Sequence, residues 1–514
     1  MKVRLKMMIQ DPRFSPQGGK RRIEGYDVST EEFSDGPVTK RVAVVDLDAD
    51  TGQPVAGARF VPPKLGRKLG KFDLPKDDEI DIESRVFNQV SVMATVLKTI
   101  DLYEDADVLG RSVRWSFGDT PLWVVPRQGK DENAYYKRDL RRLEFYYFPS
   151  HTNPAETVYT SLSRDIVAHE TGHAILDGIA PHLLDIATAT SQSLALHEAI
   201  GDITGLLIAI SSPGLRIEVL TKTKGSIENA NDFSAIGEQF GMARGSAALR
   251  DLRNDKKMSE VDQSKPHDLS EVLTGALYSV LIKMHNKRWD AYTKPSGNAA
   301  TRYSNSGKAL WDSAQQFKRM TLRALDYLPP GEVSFADYAR AIIAADQASH
   351  PDDTEERTWL RQEFVTRGIV ANEEALQVAA PEGDFGDVDL DALLNDDAAA
   401  RSFADKHRKL LRIPEGSPFE VEPRLKVTKK YYHRADGRAK YSEALVTECL
   451  LKVWWPHSEH NAISVGTTVA IDWATRRPRV LLTSDHSDRP AEEQAQQAMR
   501  SLVLDPQTAL ACCR

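Results

Sequence analysis

At 514 residues the chain is longer than one ordinary hydrophobic core organises, and its 41% hydrophobic and 28% charged residues exclude disorder over most of its length. A formal net charge of -8 gives no general attraction to phosphate backbones or anionic lipid, so neither nucleic acid nor membrane is an expected partner. Three cysteines, Cys449, Cys512 and Cys513, cannot staple the main body, which fits a reducing compartment.

The basic start, MKVRLKMMIQDPRF, lacks the apolar core of about 7 to 15 residues that a signal peptide needs. No run approaches the ~18 consecutive apolar residues that span a bilayer. A soluble cytoplasmic product is therefore expected, with export by a route that uses no cleavable signal as the alternative. Residues 1–78 read as a β-rich entry region, in which DADTG supplies a turn between two strand-like runs. From Glu79 apolar residues recur at three and four through ESRVFNQVSVMATVLKTIDLYE, which predicts a helix. Strand-like SVRWSFG, PLWVVP and LEFYYFPS follow, closing a segment at residue 162. Residues 163–375 read as mostly helical, and the acidic, Gly-rich stretch 376–392 reads as a linker. Residues 393–514 then form an α+β module: a helix near 393–412, four strand-like runs and a helix near 491–502.

The chemistry is concentrated in His169-Glu170-Thr171-Gly172-His173. On a helix, positions i and i+4 share a face, so both imidazoles can reach one ion while Glu170 projects beside them. A catalytic zinc site needs a third protein ligand and an open position. Further along, in SLALHEAIGDITG, Glu198 and Asp202 again stand at i and i+4 on an apolar helical run. One of these carboxylates can complete the metal sphere while the other accepts the second N–H of a ligand histidine.

HExxH followed by an E-x-x-x-D helix resembles the thermolysin-like gluzincin metallopeptidases. The resemblance runs from about residue 80 to 370, and it implies an α+β, two-lobed peptidase with a β-rich N-terminal lobe and a helical C-terminal lobe. It assigns Zn2+ to His169, His173 and Glu198, the role of general base to Glu170, and support of a ligand histidine to Asp202. It further implies that Asn133 and Ala134, in an edge strand, bind the substrate backbone, and that Leu249 and Arg250 line the primed-side pocket and hold a substrate carbonyl. His267 takes the place of the family's catalytic histidine, with Asp262 as its orienting carboxylate. The chain departs from the family at His197, where Asn is usual, and in the loop PHLLDIATATSQ. There the family's catalytic tyrosine has no counterpart except His182. The segment after Asp202 is apolar where calcium ligands would stand, and Asp165 alone cannot make that site.

The expected activity is hydrolysis of peptide bonds in a protein or peptide substrate, with a regulatory partner engaged through the C-terminal module. The alternatives are a delivered effector protease with one target, or an inactive zinc-bearing binding module.

Overall fold

The computed structural model describes residues 2–12, 23–29, 31–48, 50–64, 69–184, 189–293, 299–331, 333–434, 441–456 and 464–484. The helix expected near 491–502, Cys512 and Cys513 lie outside the described residues. The architecture is mixed α+β.

Two small four-stranded sheets begin the chain. In the first, Lys2–Met8 pairs antiparallel with Ile23–Val28 and parallel with Leu69–Phe72, and Phe60–Val61 closes the far edge. In the second, Val42–Val44, Leu122–Val125 and Arg142–Phe145 run parallel, and Ala134–Lys137 is the antiparallel edge strand. The DADTG turn forms around the Asp48 side chain, which accepts from the Thr51 backbone at 2.9 Å. It joins an isolated bridge, Leu47 to Pro54, in place of a full hairpin. SVRWSFG likewise makes a single bridge between Trp115 and Gly118.

The predicted helix spans Arg85–Glu104 and starts where the Ser84 side chain accepts from the Phe87 N–H. Its apolar residues join one hydrophobic core that runs from Val3 of the first strand to Leu482 near the end of the described chain. Two helices cross inside this core: Arg164–Ile179, which carries HETGH, and Ser191–Ser211, which carries Glu198 and Asp202. Their close approach depends on Gly201, where an added Cβ would lie 2.6 Å from the His169 ring. Ser191–Ser211 is also long and apolar enough to cross a membrane, but its most apolar stretch is wholly buried in the fold. Its apolar face thus already has partners.

The C-terminal strands Glu420–Arg434, Tyr441–Pro456, Ser464–Asp472 and Pro478–Thr483 form one antiparallel meander. Its middle strands contribute apolar side chains to both faces of the sheet. One face, with Leu450, Ala470, Val480 and Leu482, packs into the main core. The other, with Cys449, Leu451, Val453 and Val469, packs beneath the helices Leu390–Asn395, Asp397–Lys406 and Arg408–Leu411. The acidic stretch between the two parts is pinned at both ends, Val378 against the main core and Phe385 in the second.

Contact between sheet and body is polar as well as apolar. Asp326 is buried between Arg111 at 2.6 Å and Lys429 at 2.8 Å. Arg323, fully buried, donates to the carbonyls of Asp107 at 3.0 Å and Lys430 at 2.8 Å. Gly110 sits at φ +61°, and a Cβ there would fall 1.9 Å from the Thr428 carbonyl oxygen, so the body can meet the sheet this closely only at a glycine.

Candidate metal centre

The helix Arg164–Ile179 places His169 and His173 one turn apart, with ring centroids 4.6 Å from each other and planes at 87°. Ligand atoms of His169, Glu170 and His173 all lie within 4.8 Å of one another, and all three residues are fully buried. Glu198 enters from the neighbouring helix. Its Oε2 is 3.4 Å from His169 Nε2 and its Oε1 3.5 Å from His173 Nε2, so both imidazoles point their Nε2 atoms at one carboxylate.

These atoms fit a metal ion. Among the described residues, His173 Nε2, His267 Nε2 and both Glu198 oxygens are buried and make no hydrogen bond. Leaving such groups unsatisfied costs roughly 1–3 kcal/mol each, a cost that an ion at their point of convergence removes. Two imidazoles and a carboxylate suit zinc and the divalent transition ions alike. Burial opposes the charge on Glu198, but the neighbouring His267 and His173 hold its carboxyl well below the usual range.

The supports behind the two histidines differ. His169 Nδ1 is 3.0 Å from Asp202 Oδ1, and Asp202 is gripped by Arg250, whose Nη2 and Nε lie 2.6 and 3.0 Å from its two oxygens. Asp202 therefore stays ionised against its burial, with Arg250 and His169 lowering its pKa. His173 Nδ1 instead meets His197 Nδ1 at 2.9 Å.

Other predicted residues fall around this nucleus. His267, the second residue of the helix Pro266–Tyr292, is one-fifth exposed and places its Nε2 3.2 Å from Glu198 Oε2. Asp262 is exposed, and its carboxylate accepts from the Ser264 hydroxyl at 2.6 Å and the Ser264 N–H at 3.0 Å, a local turn ahead of the helix that carries His267. Arg250, expected to face a substrate carbonyl, is buried on the short strand Arg250–Asp251 with its guanidinium on Asp202. Leu249 beside it is half-buried against the main core. Ala134 opens the edge strand of its sheet, and the Asn133 side chain is used locally, accepting from the Ala134 N–H at 2.9 Å and donating to the Tyr135 hydroxyl at 3.0 Å.

His182 lies in the short helical turn Pro181–Leu184. Burial, then Lys452 and Arg138, push its pKa down to about 3. Asp165 is buried with Gln10 donating to it at 2.8 Å, and burial raises its pKa to about 7.

Asp177 escaped the reading of the sequence. It stands one more i+4 step beyond His173 and accepts from Tyr136 at 2.6 Å and Arg138 at 2.9 Å, tying the edge strand to the helix that carries HETGH. The signal was present as H-x-x-x-D in HAILD, where a buried acid on an apolar helix needs a partner.

No protein-family model matches the chain, and no curated protein matches it in sequence.

Proposed function

We propose that the chain is a zinc-dependent endopeptidase with the two-lobed organisation of the thermolysin-like gluzincins. The observation that carries this reading is the convergence of His169, His173 and Glu198, from two helices, on one buried point beside the carboxylate of Glu170. A structural zinc site is usually closed by four protein ligands and has no use for an additional carboxylate at its side.

When bound, zinc supplies Lewis acidity, drawing charge from a peptide carbonyl and making water acidic enough to lose a proton near neutral pH. Glu170, held in place by the same helix as the two histidines, takes that proton and later delivers it to the leaving amine. His267, at the partly exposed rim and within 3.2 Å of Glu198, donates an N–H to the oxygen on which negative charge develops. Among the described residues the strand Ala134–Lys137 pairs on one side, with Arg142–Phe145, and as the edge of its sheet it can receive an extended peptide by strand addition. Asp177 holds that strand in register with the metal-binding helix.

Cleavage of casein or a peptide library tests the proposal. The expected activity is abolished by a chelator and restored by added zinc. Activity indifferent to chelation, or no cleavage by fully zinc-loaded protein, would overturn it.

A further inference from the structure

We propose that His197 is a positioning residue of the metal centre, acting through His173: its neutral imidazole accepts the Nδ1–H of His173 and thereby fixes which nitrogen of His173 faces the ion. The inference rests on the reading of His169, His173 and Glu198 as metal ligands.

Two imidazole nitrogens 2.9 Å apart can bond only if one carries a proton and the other a lone pair. The direction follows from the far side of His173, where Nε2 points toward Glu198 at 3.5 Å and must keep its lone pair to serve as a ligand. His173 therefore carries its proton on Nδ1, and His197 accepts there with its own proton on Nε2. The rings stand 5.1 Å apart and are tilted by 38°, which lets one nitrogen face the other. Because Nδ1 of His197 is directed at His173, that atom is not a fourth ligand. Its buried Nε2 finds no hydrogen-bond partner among the described residues, a burden that a leucine filling the same space would not carry.

The two ligand histidines are thus supported by unlike groups. His169 leans on a carboxylate braced by Arg250 and so gains basicity, whereas His173 leans on a neutral ring and gains orientation with little added charge.

The experiment measures zinc affinity by competition with a chromophoric chelator for the full chain, for His197→Leu and for His197→Asn, which retains an acceptor oxygen. Outer supports of metal ligands typically carry about 10- to 100-fold in affinity. His197→Leu is expected to lose zinc binding within that range and to shift the visible absorption of the cobalt-substituted protein, with His197→Asn recovering most of both. Equal affinity in wild type and the leucine variant would overturn the proposal. So would an unrecovered loss in His197→Asn with both variants folded by circular dichroism. If the leucine variant does not fold, nitrogen-15 NMR of histidine-labelled, zinc-loaded wild type decides: a proton on Nδ1 of His173 and none on Nδ1 of His197 is expected, and the reverse contradicts it. Failure of the wild type itself to bind zinc would instead refute the metal-ligand reading.

Discussion

Among the buried clusters of ionisable residues in this fold, the one around Glu198 and the one around Asp326 are completed in opposite ways. Asp326 sits between Arg111 and Lys429, cations close enough to satisfy both of its oxygens. Its pKa is accordingly held at about 2, the two cations outweighing the burial that opposes them. Glu198 faces imidazole nitrogens at 3.2–3.5 Å and, among the described residues, has no hydrogen bond on either oxygen. A cluster whose charges are matched internally holds two parts of a protein together, and one whose lone pairs converge unmatched is prepared for something else. Both carboxylates are buried, so the distinction is in how the acceptors are used, not in burial.

That comparison can be broken by substitution. The largest effect is expected from Glu170→Gln, which keeps size and hydrogen-bonding atoms but loses the base. Turnover of a peptide substrate should fall by about 10²- to 10⁴-fold, with zinc content and melting temperature unchanged. A variant that melts earlier but still turns over would move Glu170 into the structural class.

Asp326→Ala should do the reverse. It leaves two buried cations without their anion and should destabilise the protein by about 3–5 kcal/mol, read by urea unfolding, while zinc affinity in the folded protein stays as in wild type. Loss of zinc at unchanged stability would show that the seam belongs to the site.

Asp177→Ala tests a residue standing between the two classes, since it ties the edge strand to the metal-binding helix through Tyr136 and Arg138. A rise in KM of about tenfold, or roughly 1.4 kcal/mol of substrate binding, is expected, with kcat changed less. An unaltered KM would separate the strand from substrate.

The smallest effect concerns pH. His350 is stacked on Tyr432 of the C-terminal sheet at 4.7 Å. Burial first, then Arg319, Arg323, Arg288 and Arg357, depress its pKa to about 2. An unfolded histidine takes up a proton below about 6.5, and the folded one does not. Stability is therefore fully present above that pH and declines as pH falls, by about 1.4 kcal/mol per pH unit for one proton. His350→Phe, which keeps the stacking, should flatten this acid limb in urea unfolding between pH 7 and 5. An unchanged slope would remove His350 from the account.

What could be read from the sequence follows from the range of the interactions. HETGH and E-x-x-x-D were legible because i,i+4 spacing on a helix is a local rule, and the structure puts both on helices that face each other. The strands after residue 420 were legible as strand-like runs, but nothing local says that one face of their sheet enters the main core. Asp326 and Lys429 are 103 residues apart and carry no periodic mark of their pairing. The position of Asp262 ahead of His267 said nothing of its bonds to the nearer Ser264. His197 was visible only as a departure from a resemblance, and its partner, His173, was hidden until two helices were packed together. Arg250 shows the same limit, since a lone arginine on a two-residue strand does not announce that it will grip Asp202.

The most direct test of a catalytic metal centre is mass-spectrometric mapping of new cuts in a denatured proteome, made with zinc-analysed wild type and Glu170→Gln side by side. Both proteins should contain stoichiometric zinc, and only the wild type should produce cuts. Wild type that holds zinc and leaves the proteome intact, or identical cuts from both proteins, would contradict the account.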